Sequence, residues 1–135
     1  MAWRAFGAAQ IAVGDAARAY ECTRVAVELA KGTPLEFWAR SQLSGAAIAL
    51  RRMGEAKAHL TTVSFNRPEF RPPLRYLLAI HATNEDWGPA MQTMSKLKYL
   101  EPSFSVDRLV NDRDYPSKLL HGPYGLDRSK IMDLL

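Results

Sequence analysis

The chain has 135 residues, a length typical of one domain with a modest core. Its 18 basic and 14 acidic side chains leave a net charge of +4, which slightly favours acidic partners but is not the dense basic patch of a nucleic-acid-binding protein. The single cysteine, Cys22, excludes an internal disulfide framework and a cysteine-rich zinc site. A lone cysteine fits the cytosol, so we expect a cytoplasmic protein. No apolar stretch approaches the length of a membrane span, so we expect no membrane contact.

The first two thirds of the sequence predict helix almost throughout. Alanine and leucine are abundant, and apolar residues recur at steps of three and four. Turn-forming residues interrupt this pattern at regular places, such as Gly32-Thr33-Pro34 and Asn66-Arg67-Pro68. Six helices are expected, at residues 2–13, 15–31, 35–52, 54–64, 70–83 and 87–100.

Three prolines recur at equal intervals, at Pro34, Pro68 and Pro102, and we call this interval the repeat period. The proline ends the second helix of a pair and sets the turn into the next pair. Four columns of small or apolar residues keep the same offset: Cys22, Ala56 and Ala90; Ala26, Leu60 and Met94; Leu29, Val63 and Leu97; Ala9, Leu43 and Leu77. A small residue lets two antiparallel helices cross closely, and stacked pairs bury the apolar faces that one pair cannot bury alone.

The repeat period, with its helix–turn–helix punctuation, resembles the tetratricopeptide (TPR) repeat of about 34 residues. The first-helix glycine and tyrosine positions of that family differ here, since they hold Gln10, Ser44, Leu78 and Val13, Ala47, His81. The resemblance implies an all-α fold, a right-handed α-solenoid of three TPR-like helix pairs in residues 1–102. Its repeats would span residues 3–34, 35–68 and 69–102. The alternative is an ordinary six-helix bundle in which the spacing of the prolines is coincidental.

Residues 103–135 are predicted to form C-terminal capping helices and a tail. A short helix is expected at residues 105–110, with Ser103 or Ser105 as its N-cap, and a final helix from Asp127 to Leu135, with Asp127 as its N-cap. The apolar face of the final helix needs a partner; it contains Leu126, Ile131, Leu134 and Leu135.

The segment from Leu60 to Leu109 is also similar to accessory repeat regions of some bacterial proteins, including class III adenylate cyclases and transcriptional regulators. The shared features are a small helix pair, the exit segment Leu-Glu-Pro-Ser-Phe-Ser-Val at residues 100–106, and a short capping helix. This resemblance implies a bacterial origin and a regulatory module of a signalling or transcription-regulating protein. It does not imply a cyclase active site in this chain.

We expect the functional surface to be a concave groove that binds a protein or peptide. In the TPR family, defined positions of each first helix face this groove. Carried onto this sequence, they give a groove of Arg4, Ile11, Trp38, Ser41, Gly45, Ile48, Arg75 and Ala79. The arginines would meet acidic groups of the partner and Trp38 an apolar group. The alternative is that Trp38 belongs to the core and the arginines are solvated.

No residue pattern predicts catalysis, a metal ion or a cofactor. The histidines His59, His81 and His121 lack ligand spacing, and Cys22 is expected to be a packed small residue rather than a nucleophile. We therefore expect a non-catalytic protein-interaction or regulatory module. A homodimer through the terminal repeat or the C-terminal helix is a further expectation, because such faces need a cover.

Two other functions stay open from the sequence. A small enzyme using the groove would require a pair of titratable groups with perturbed pKa values in one pocket. An accessory nucleic-acid-binding role would use an arginine ridge of Arg67, Arg71 and Arg75. Such a ridge offers phosphate contacts without base readout, and we expect no direct nucleic-acid binding from it.

Overall fold

Seven helices make up most of the computed structural model, which describes residues 15–112 and 126–135 and contains no strand within them. The helices are α1 (Ala16–Ala30), α2 (Glu36–Ala49), α3 (Met53–Asn66), α4 (Arg71–Thr83), α5 (Trp87–Leu100), α6 (Val106–Asn111) and α7 (Arg128–Met132). The predicted all-helical class is confirmed for the described residues. The predicted helix at residues 2–13 lies outside them. None of the described helices is long and apolar enough to cross a bilayer.

The chain divides into two compact units that separate between Arg67 and Pro68. In the first unit α2 packs against both α1 and α3. Small residues lie where these helices approach one another, since Cys22 and Ala56 are both buried. The core shared by α1 and α2 consists of Ala26, Val27, Ala30, Ala39 and Leu43.

One member of the predicted apolar columns, Leu29, is 66% exposed. Val63 and Leu97, the other members of its column, are buried and lie four residues before the C-caps of their helices. In α1 the position four residues before the C-cap is occupied by Val27, which is buried. The cause is the helix end, since α1 ends two residues further from the proline that follows it than α3 does. Gly32 lies in this longer turn with a φ of 74°, which glycine adopts without strain.

In the second unit the pair α4 and α5 carries the two C-terminal helices. Ser105, not Ser103, is the N-cap of α6, and its Oγ accepts a hydrogen bond from the Arg108 N–H at 3.1 Å. Asp127 Oδ1 caps α7 in the same way, from the Lys130 N–H at 3.1 Å. The unit has one core, to which α4, α5, α6 and α7 contribute: Leu74, Leu78, Ala79, Ala82, Ala90, Met94, Leu97, Phe104, Val106, Leu109, Val110, Ile131 and Leu134. Of the apolar face predicted for the final helix, Ile131 and Leu134 are thus buried within their own unit, whereas Leu135 is 75% exposed.

The turns that join α2 to α3 and α4 to α5 have the same backbone structure, one repeat period apart. Arg51 and Glu85 adopt φ values of 62° and 60°. The next N–H groups, of Arg52 and Asp86, each donate to a carbonyl oxygen five residues earlier, and both distances are 2.8 Å. This hydrogen bond and the left-handed residue before it define the Schellman motif at a helix C-terminus.

The ends of the second helices recur at the same interval. The C-caps of α3 and α5, Arg67 and Glu101, have φ values of −134° and −135°. Their N–H groups donate to the carbonyl oxygens of Val63 and Leu97, both at 2.8 Å. Helices α2, α4 and α6 then begin at residues 36, 71 and 106, so α6 starts where the next first helix would.

Candidate functional site

The predicted groove residues fall into three groups. Arg4 and Ile11 lie outside the described residues. Trp38, on α2, keeps 36% of its surface exposed and is able to contact a partner. The remaining residues are buried in α2 or α4: Ser41, Gly45, Ile48, Arg75 and Ala79. Buried side chains shape a surface but offer little contact area, so Trp38 is the best placed to bind among the described groove residues. The groove itself stays a prediction.

Arg75 forms a buried ion pair with Glu101 inside the second unit. Its Nη2 lies 2.6 Å from Glu101 Oε1, and both side chains are less than a tenth exposed. Arg71, one turn earlier on α4, lies 3.6 Å from the same oxygen and is half exposed. Because both groups are buried and hydrogen-bonded, removing only one of them would leave an unpaired buried charge and lower the stability of the fold. Arg75 therefore joins α4 to the end of α5 within the second unit.

The predicted arginine ridge does not lie on one helix. Arg67 is the C-cap of α3, whereas Arg71 is the first residue of α4. Arg75 and Arg71 both approach Glu101, which offsets part of their charge. This arrangement differs from the continuous row of cations that a phosphate backbone would require.

A polar network joins the three described helices of the first unit. Tyr20 on α1 donates its hydroxyl hydrogen to Glu55 Oε1 on α3 at 2.5 Å. The Arg52 guanidinium carbon lies 4.7 Å from the centre of the Tyr20 ring. The Glu55 carboxylate is the main cause that raises the pKa of Tyr20, which therefore remains a neutral donor.

The network continues through Arg40 on α2. Arg40 Nε donates to Glu36 Oε2 at 3.0 Å, and Arg40 Nη1 lies 3.1 Å from His59 Nδ1. Because a guanidinium only donates, His59 Nδ1 must accept, and the ring proton sits on Nε2. Burial and the Arg40 charge lower the pKa of His59, while Glu55, 4.0 Å from Nε2, acts in the opposite direction.

Glu36 is held as a carboxylate by two donors. Its Oε1 accepts from the Gly32 backbone N–H at 3.1 Å, and its Oε2 accepts from Arg40. Both hydrogen bonds lower the pKa of Glu36, and the bond from Gly32 has the larger effect. Both of its oxygens are therefore engaged at the start of α2.

A cleft of about 210 Å³ opens between the start of α2 and the end of α3. We call it the α2/α3 cleft; it is lined by Thr33, Pro34, Glu36, Phe37, Arg40, Thr62, Val63, Asn66 and Arg67. The Arg67 guanidinium carbon lies 4.6 Å from the centre of the Phe37 ring, which is a cation–π contact. The cleft thus brings two arginines and one glutamate together in a partly apolar setting. The sequence pattern does not reveal it, because its two sides come from residues 33–40 and residues 62–67, which no local pattern connects.

The second unit has a cleft at the equivalent place. This α4/α5 cleft, of about 560 Å³, lies between the residues that precede α4 and the end of α5, and is lined by Pro68, Glu69, Ser95, Lys96, Tyr99 and Leu100. Three pairs of residues from the two clefts are one repeat period apart: Pro34 and Pro68, Thr62 and Lys96, Asn66 and Leu100. The period therefore extends from the turns to the surface, although the side chains that line the two clefts differ.

Two aromatic side chains stand out from the protein at repeat-equivalent positions. Phe65 near the end of α3 is 84% exposed, and Tyr99 near the end of α5 is 85% exposed. They are one repeat period apart, and each lies in the penultimate position of its helix. Their shared place near the end of each second helix makes both rings candidate contacts for a partner.

The residues weighed as chemical groups lie apart from one another. Cys22 is buried, as expected of a packed small residue. His59 belongs to the network in the first unit, His81 is buried in α4, and His121 lies outside the described residues. Within residues 15–112 and 126–135, no three histidine, cysteine or acidic side chains are grouped as a metal site.

Comparisons of the chain with protein-family models, with curated proteins and with solved structures found no match. The resemblance to TPR repeats thus stays a prediction from the sequence pattern, and function must be argued from the surface.

Proposed function

We propose that this chain is a non-catalytic protein-interaction module built from stacked TPR-like helix pairs. In this proposal three pairs, at residues 3–34, 35–68 and 69–102, form a right-handed solenoid, and residues 103–135 cover its end. The recurring Schellman turns and helix ends favour a repeat over an ordinary bundle, because coincidental prolines would not reproduce the backbone between them.

The observation that carries the interaction role is the pair Phe65 and Tyr99. An exposed aromatic ring costs solvation free energy and contributes nothing to the core of its unit. Aromatic residues are among the most frequent energetic anchors of protein interfaces. Their recurrence at the same place in consecutive pairs indicates a surface repeated together with the fold.

The groove contributes to this proposal through Trp38. Its side chain is 36% exposed on α2, and an apolar group of a partner would cover it. A substitution at Arg75 would be a poor test of the groove, because it removes the partner of Glu101 and changes stability as well as binding. Trp38→Ala tests the groove without breaking that buried ion pair.

The proposed biological setting is regulatory. The likeness of Leu60–Leu109 to accessory repeats of bacterial signalling and transcription-regulating proteins suggests a module that brings a partner to such a protein. The homodimer predicted from the C-terminal helix has less support, since Ile131 and Leu134 are buried in their own unit. A partner of different sequence is therefore the form of the proposal that we favour.

The test is affinity capture from the source cells with four proteins. These are the natural chain, the double variant Phe65→Ser/Tyr99→Ser, the variant Trp38→Ala, and the control Leu29→Ser, which changes a large exposed apolar residue elsewhere. We expect one protein partner to be retained by the natural chain and by Leu29→Ser and lost with the double variant. Retention by all four, or loss with Leu29→Ser alone, would contradict the proposed surface.

A further inference from the structure

We propose that the α2/α3 cleft binds a carboxylate of an acidic segment in the partner protein, with Arg67 and Arg40 as its anchors. This inference rests on the proposed function and names the chemistry of the partner. It concerns the cleft in the first unit, whose lining includes none of the predicted groove residues.

Arg67 is held in place yet retains its hydrogen-bonding capacity. Its guanidinium lies over the Phe37 ring, and within the part of the chain that the structure describes its side chain makes no hydrogen bond or ion pair. Contact with the face of a ring leaves the N–H edges of a guanidinium able to donate. Because the ring already orients it, less entropy is lost when a ligand binds.

Arg40 supplies a second donor to the same cleft. Its Nε is used by Glu36 and its Nη1 by His59. Among residues 15–112 and 126–135, no partner is found for its Nη2. The side-chain amide of Asn66, which also lines the cleft, has no protein partner in those residues either. Two guanidinium groups and an amide are therefore available to an acceptor that enters the cleft.

The lining residues have a net charge of one positive unit, which one bound anion would balance. Arg40 and Arg67 contribute two positive charges, and Glu36, whose pKa is lowered by its donors, contributes one negative charge. The other lining residues are uncharged, and His59 behind Arg40 is neutral because its Nδ1 accepts from the guanidinium. One incoming carboxylate would balance the remaining positive charge and pair with Arg67 through two parallel hydrogen bonds.

The charge of the cleft favours a protein side chain over a polyanion. Its volume of about 210 Å³ is enough for the carboxylate end of one glutamate or aspartate. Nucleic-acid binding depends on many phosphate contacts at once, and one excess charge in a small cleft supplies few. The Phe37 ring adds an apolar wall that suits the methylene groups of a glutamate.

The test uses the whole chain and two matched peptides, acetylated hexaglutamate amide and acetylated hexaglutamine amide. Binding is followed by the ¹⁵Nε resonances of Arg67 and Arg40 and by fluorescence anisotropy of the labelled peptides. We expect hexaglutamate to shift both resonances and Arg67→Ala to weaken its binding about tenfold, the usual effect of losing a charge-assisted pair. The control Arg18→Ala removes the same charge from an exposed site on α1, and we expect it to change binding less than about twofold.

Three results would overturn the inference. One is equal weakening by Arg67→Ala and Arg18→Ala, which would mean that only net charge matters. Another is equal binding of hexaglutamine. The third is tighter binding of oligothymidylate than of hexaglutamate at the same salt concentration, which would point to nucleic acid. The capture experiment remains informative in each case, because a partner lost with Phe65→Ser/Tyr99→Ser but kept with Arg67→Ala leaves the interaction role intact.

Discussion

Arg51 and Glu85 lie one repeat period apart and hold the same left-handed backbone conformation, with φ values of 62° and 60°. Neither residue type favours this conformation, which costs a residue with a β-carbon roughly 1–2 kcal/mol. Each follows the end of a first helix and is followed by an N–H that closes the helix. The two turns are thus equivalent in structure although their sequences differ.

We expect Arg51→Gly and Glu85→Gly each to raise the free energy of unfolding by about 0.5–1 kcal/mol. The relief of left-handed strain should exceed the greater entropy that glycine gives the unfolded chain. The control Ala58→Gly, at an exposed position inside α3, should lower it by about 1 kcal/mol. Urea unfolding measures all three, and opposite signs at Arg51 and Glu85 would contradict the equivalence of the turns.

A second prediction concerns the small residues of the helix pairs. Ala56 and Ala90 have no exposed surface, so Ala56→Leu and Ala90→Leu should each lower the free energy of unfolding by about 1–3 kcal/mol through overpacking. Ala58→Leu places the same side chain on the exposed face of α3 and should change it by less than about 0.5 kcal/mol. Urea unfolding compares the three, and full tolerance of leucine at Ala56 would argue against close helix crossing there.

The sequence predicted the helices well because their boundaries are set by local chemistry. Proline, glycine and the capping side chains Ser105 and Asp127 act within a few residues of their own position. Leu29 shares an apolar column with Val63 and Leu97 in the sequence, but unlike them it is exposed in the structure. Gly32 and the residues around it form a longer turn, which displaces the end of α1 and gives the buried place to Val27.

The Arg75–Glu101 pair gives a third prediction. Glu101→Ala should lower the free energy of unfolding of the second unit by about 3–5 kcal/mol, because it leaves the buried Arg75 charge without its carboxylate. Arg71→Ala removes only the half-exposed partner of the same carboxylate and should cost less than about 1 kcal/mol.

The double variant Arg75→Met/Glu101→Leu removes both charges but keeps side chains of similar size, so it distinguishes the contribution of the ion pair from that of packing. It should recover most of the stability that Glu101→Ala loses, since no unpaired charge is then buried. Urea denaturation followed by circular dichroism measures all three proteins. A cost below about 1 kcal/mol for Glu101→Ala would show that Arg75 finds compensation elsewhere.

A fourth prediction follows from the lowered pKa of His59. In the unfolded chain the ring has its ordinary pKa of 6.5, whereas the pKa in the folded chain is lower. Near and below pH 6.5 the unfolded state therefore binds more protons than the folded state. The free energy of unfolding should therefore fall as the pH drops from about 7.5 to about 5. His59→Gln keeps an acceptor for Arg40 but does not titrate, and it should reduce this pH dependence. An unchanged pH profile in His59→Gln would contradict the assignment.

The surface was less predictable than the helices because its contacts join distant parts of the chain. Glu55 meets Tyr20 across 35 residues, and Arg75 meets Glu101 across 26. Both partners of such contacts are ordinary polar residues, and no local pattern marks them. Phe65 and Tyr99 are different, since their spacing of one repeat period is visible in the sequence, but only the structure shows that both are exposed.

The most direct measurement of the central claim is the affinity of the captured partner for single variants at the two aromatic positions. We predict that Phe65→Ser and Tyr99→Ser each weaken binding about tenfold or more, as expected for interface anchors, while Leu29→Ser changes it less than about twofold. Unchanged affinity in both aromatic variants, or an equal loss with Leu29→Ser, would contradict a binding surface that repeats with the helix pairs.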